Sequence, residues 1–140
     1  MYRQYYGMSM DPFAKELETK NAYLTHDMKA IQGRLEYLKN HPGIGLFTAG
    51  SGQGKTFALR YFAEKLNPNI TKFYYICLST VTTTEFYRQL CRTLGLEVSG
   101  SKTSMFRSIQ EYFETMRRNK KIHCMICLDE AQYLRSDVLR

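Results

Sequence analysis

Ala49-Gly50-Ser51-Gly52-Gln53-Gly54-Lys55-Thr56 lies directly after the apolar run Gly43-Ile44-Gly45-Leu46-Phe47-Thr48. That run has the length of a short strand, and residues 55–66 after the loop read as a helix stopped near Asn67-Pro68. Strand, glycine-rich loop and helix in this order are the setting in which a backbone cradles phosphate. Glycines let the chain curl until its N–H groups point at phosphate oxygens, and the helix N-terminus adds a favourable dipole. Lys55 is placed to reach the β- and γ-phosphates, and the Thr56 hydroxyl to ligate Mg²⁺. Gly50, Ser51, Gly52, Gln53, Gly54, Lys55, Thr56 and Phe57 are therefore the candidate contacts for ATP, with Lys55 also counted as catalytic. In the strict G-x-x-x-x-G-K-[ST] pattern the first glycine falls on position 49, which here is Ala49. Alanine is the smallest replacement and keeps ordinary backbone angles.

A second signal is Ile122-His123-Cys124-Met125-Ile126-Cys127-Leu128-Asp129-Glu130, an apolar strand that delivers two carboxylates at its C-terminal end. Ligands of parallel sheets bind beyond that end. There Asp129 is expected to hold the Mg²⁺ shell, and Glu130 to polarise a water for in-line attack on the γ-phosphate. Alone the pattern is common; paired with the glycine-rich loop it is specific.

The rest of the chain supplies the frame. A helix from Thr25 carries Met28, Ile31, Leu35 and Leu38 on one face and ends at Asn40 and Pro42. Lys72-Phe73-Tyr74-Tyr75-Ile76-Cys77-Leu78 reads as a strand, and residues 79–84 offer polar candidates for the N-cap of the next helix. That helix carries Phe86, Leu90 and Leu94 and ends at Gly95; another, over 103–118, has Met105, Ile109, Phe113 and Met116 at helical spacing. Strands alternate with helices throughout. The alternation predicts an α/β fold with a parallel sheet between helices. Ser79 and Thr80, at the end of the second strand, are weaker candidates for polar contacts near the γ-phosphate.

Composition bounds the remaining possibilities. At 140 residues, with 44% hydrophobic residues, the chain is long and apolar enough for one packed core. No apolar run approaches the roughly 18 residues of a membrane span, and the N-terminus lacks the apolar stretch of a signal peptide. A cytoplasmic location without membrane insertion is the expectation. The net charge of +7 suits a polyanionic partner such as DNA but equally suits a nucleotide. Arg117-Arg118-Asn119-Lys120-Lys121 reads first as a solvated helix end with cations near the negative end of its dipole. Cys124 and Cys127 have C-x-x-C spacing, but three residues apart on a strand they face opposite ways, so they read as small buried hydrophobes.

With these motifs placed, the chain resembles the AAA+ ATPases and, within them, the ExeA-like and transposition-helper ATPases. Tyr5-Tyr6-Gly7 and Asp11-Pro12-Phe13 look like the family's N-terminal signature, residues 46–56 like Walker A, and Ile126-Cys127-Leu128-Asp129-Glu130-Ala131-Gln132 like Walker B. The resemblance implies a three-layer P-loop NTPase fold of the AAA+/ASCE type. It divides the chain into an adenine-side segment, 1–24, with Pro12 and Phe13 as candidate base contacts, and the N-terminal part of the ATPase domain, 25–140. It implies ATP hydrolysis with Mg²⁺, a homo-oligomer in which one subunit completes the site of the next, and action on DNA beside a transposase. A secretion-associated ATPase of the ExeA kind and a nucleotide-binding scaffold without turnover are the alternatives.

In that family the strand after Walker B inserts between the Walker A and Walker B strands. The sequence ends at Arg140, so the fold is expected to be truncated after the Walker B strand. The expectation is that the first and third strands pair directly or that another chain fills the place between them.

Overall fold

The computed structural model describes residues 2–12, 14, 18–78 and 82–138. They form two compact units, residues 1–64 and 65–140.

The first unit opens with a short helix, α1 (Tyr2–Tyr5), where the Tyr2 hydroxyl donates to Asp11 Oδ1 at 2.5 Å. Its main helix is α2 (His26–Asn40). Thr25 caps it, its hydroxyl oxygen accepting from the Met28 N–H at 3.1 Å, and so satisfies one of the donors that a first helical turn leaves unpaired. The apolar stripe seen in the sequence is buried where it matters: Met28 and Leu35 are buried on α2, Ala58 and Phe62 are buried on α3 (Lys55–Glu64), and the two helices are in contact. The Gln32 side chain also donates to the Ala58 carbonyl at 2.8 Å, and the Thr19 hydroxyl to the Glu64 carboxylate.

The stretch 43–48 corrects the sequence expectation. It runs as backbone without a sheet partner among the described residues, and Ile44 and Leu46 are exposed. A strand exists through its neighbours, and apolar character alone supplies none.

The second unit carries the sheet. Strands β1 (Thr71–Cys77) and β2 (His123–Asp129) pair in parallel, with Tyr75 opposite Cys127 and Cys77 opposite Asp129. A further bond, Leu78 N–H to Asp129 carbonyl at 3.0 Å, continues the pairing beyond β1. Between the strands lie α4 (Thr83–Leu94) and α5 (Lys102–Arg118). A parallel pair needs such a crossover, because its strands start at the same end.

Thr82 begins α4 by accepting from the Glu85 N–H, and Gly95 ends it with φ of 74°, a left-handed conformation that glycine adopts without a Cβ penalty. The core is the meeting of Ile76 and Leu78 with Leu90, Cys91, Leu94, Met105 and Ile109. Met105 and Cys91 are completely buried. On the same side Tyr74 shares a 2.5 Å hydroxyl–hydroxyl hydrogen bond with Tyr112 of α5.

Residues 43–48 form no strand among the described residues, so the first expected strand is not there to pair; the sheet consists of the strand before the helices and the Walker B strand. These are the two that the resemblance makes neighbours without an inserted strand, and closing them needs only the α4–α5 crossover. No third strand occurs among the described residues.

Candidate nucleotide site

The glycine-rich loop lies in the first unit. The Ala58 N–H donates to the Gly54 carbonyl at 2.9 Å, the first turn of α3, so the helix starts where the glycines end. Gly52 and Gly54 have φ of 75° and 78°. An added Cβ meets no atom within 4 Å at either, so glycine is required there by backbone angle and not by crowding. Residues 51–54 are exposed.

Lys55 folds back over this curl. Its Nζ donates to the Ala49 carbonyl and to the Gly50 carbonyl, each at 2.9 Å. Gln53 closes the other side, its Oε1 accepting the Gly50 N–H at 3.0 Å. Phe57 turns onto the helix and has the Arg60 guanidinium 5.5 Å over its ring.

The acidic strand end lies in the second unit. Asp129 ends β2 and is buried, 7% exposed. Its Oδ1 accepts the Glu130 N–H at 2.9 Å and its Oδ2 the Tyr75 hydroxyl at 2.6 Å. Glu130 follows with φ of 58° and ψ of 38°. A side chain in the left-handed region costs roughly 1–2 kcal/mol, which turns the chain sharply off the strand at the residue expected to act on water. The Gln132 side-chain amide donates to the Glu130 carboxylate. Beside them the Cys127 thiol is pushed up to about 11, by burial first and by the Asp129 charge second.

A glycine-rich loop opening a helix and a buried aspartate ending a parallel strand are the paired features of a P-loop ATPase. Residues 38–140 match the family profile described as AAA domain. The chain belongs to this family. Over 143 aligned residues, 99% of the chain, it is 27% identical to the general secretion pathway protein A of Aeromonas hydrophila. The chain spans about a quarter, 26%, of that relative's length. No solved structure matches it.

Within this AAA domain Gly50, Gln53 and Lys55 come together in the loop of the first unit, and Asp129 and Glu130 at the strand end of the second. Thr56 is exposed at the start of α3. Pro12 is exposed in the N-terminal segment, and Phe13, Ser79 and Thr80 lie outside the described residues. Sequence reasoning missed Tyr75 and the role of Gln132. Tyr75 looked like one more aromatic of an aromatic-rich strand, and only the register between β1 and β2 brings it to Asp129. Each unit taken by itself offers a hard oxygen of the kind Mg²⁺ prefers, the Thr56 hydroxyl in the first and the Asp129 carboxylate in the second.

Proposed function

We propose that this AAA domain binds ATP with Mg²⁺ and hydrolyses it. The observation that carries the reading is the curled loop of residues 49–56, with left-handed Gly52 and Gly54, opening α3 under the Lys55 ammonium. Lys55 exchanges its two carbonyl partners for phosphate oxygens, and the N–H groups of the loop hold the same phosphates. Thr56 and Asp129 are the residues that hold the Mg²⁺ complex. Bound Mg²⁺ supplies charge neutralisation at the phosphates. Glu130 orients the attacking water and takes its proton on the carboxylate. Pro12 and Phe13 are assigned to the base side.

The target of the motor is proposed to be DNA, in a helper role in transposition by a homo-oligomer; the net charge of +7 supports a polyanionic partner. A secretion-linked role is the second reading, favoured by the name of the Aeromonas relative. Turnover measured with and without duplex DNA at low salt tests both. DNA-stimulated hydrolysis lost in Glu130→Gln supports the first reading, and no DNA binding at low salt removes it. ATP binding without any turnover leaves only a nucleotide-dependent scaffold.

A further inference from the structure

The Tyr75 hydroxyl reaches Asp129 from a neighbouring strand. In the register of the sheet Tyr75 faces Cys127, one same-face position short of Asp129. Same-face positions are about 6.6 Å apart along a strand, a gap that a tyrosine spans and a serine or asparagine does not. The 2.6 Å bond is therefore a product of both the parallel register and the length of this side chain.

Two donors reach Asp129 on different oxygens, Tyr75 on Oδ2 and the Glu130 N–H on Oδ1. The terminal torsion of an aspartate is broad and roughly two-fold, so one donor leaves the carboxylate plane free to swing. A second donor on the other oxygen fixes it. The backbone donor comes with any residue at position 130 except proline; the Tyr75 donor is specific to this sequence.

We propose that Tyr75 is a positioning residue for Mg²⁺, fixing the plane in which the Asp129 carboxylate meets the hydrated ion of the nucleotide complex. The inference rests on the reading of Asp129 as a Mg²⁺-shell residue. Partners that orient a metal-binding side chain influence metal affinity about 10–100-fold in other proteins.

The test is the ratio of ATP dissociation constants in EDTA and in Mg²⁺, measured on the full chain with a fluorescent ATP analogue. Tyr75→Phe, which keeps the ring, is expected to lower this ratio about tenfold while leaving the affinity in EDTA unchanged. Asp129→Asn is expected to abolish the Mg²⁺ enhancement, and Tyr75→Phe added to Asp129→Asn to have no further effect. An unchanged ratio in Tyr75→Phe with a lowered ratio in Asp129→Asn overturns the role of Tyr75 and leaves the site reading standing. Equal losses in EDTA and Mg²⁺ show a merely structural tyrosine and also overturn it. Unchanged ratios in both variants overturn the site reading together with the inference. If Tyr75→Phe fails to fold, as a thermal melt would show, the tyrosine is structural and the inference falls.

Discussion

Lys55 holds the Gly50 carbonyl at 2.9 Å through the same ammonium that is assigned to phosphate. The cation and the loop it closes are thus one unit, and the proposed ATP complex has it exchange carbonyl partners for phosphate oxygens. Hydrogen bonds to a charged group are worth about 1.5–3 kcal/mol net, so Lys55→Ala should weaken ATP binding about 10–100-fold. Titration calorimetry checks this, and unchanged affinity would damage the assignment of the loop.

Glu130 separates catalysis from stability. Its left-handed backbone favours glycine, so Glu130→Gly should raise unfolding stability by up to about 1 kcal/mol while abolishing turnover. Glu130→Gln should abolish turnover and keep ATP affinity. Chemical denaturation beside a phosphate-release assay measures both. A Glu130→Gly protein that is less stable would mean that the carboxylate, held by Gln132, contributes more than the backbone costs.

Met105 is completely buried where α5 meets β1 and α4. Met105→Ala removes most of that side chain and leaves a cavity, which should cost about 2–5 kcal/mol in a urea or guanidinium melt. A smaller loss would show that α5 can settle into the gap.

Gly95 ends α4 with φ of 74° and open space around its Cβ position. Gly95→Ala should destabilise the protein by about 1 kcal/mol through backbone strain alone. No steric relief elsewhere should rescue it, since no clash is created. A neutral result would place the helix end in another conformation.

Cys127 makes stability depend on alkaline pH. Its folded pKa, about 11, lies above the ordinary 9.0, so the folded state favours the neutral thiol. The contribution is complete below pH 9 and is lost as pH rises through the folded value near 11. Denaturation at pH 8, 10 and 11 should show a decline that is smaller in Cys127→Val. Burial raises Cys124, Cys91 and Tyr74 in the same direction, so the variant removes only part of the slope.

Local pattern carried far in this chain. The stripe Met28, Leu35 placed α2, the polar run 79–84 and the stop at Gly95 bracketed α4, and the string ending in Asp129-Glu130 placed the acidic strand end. Each of these depends on a few consecutive residues and on hydrogen bonds within one element. Residues 43–48 showed the limit: they have the composition of a strand, but a strand needs a neighbouring backbone, and none pairs with them among the described residues.

The sequence by itself determined the curl of the glycine-rich loop, because the left-handed angles at positions 52 and 54 are a local backbone requirement that glycine meets. The tertiary structure alone decided which strands pair and what surrounds the acidic residues. Tyr75 and Asp129 are far apart in the chain, and their contact follows from a parallel register that one residue of slip would destroy by turning the tyrosine to the opposite face.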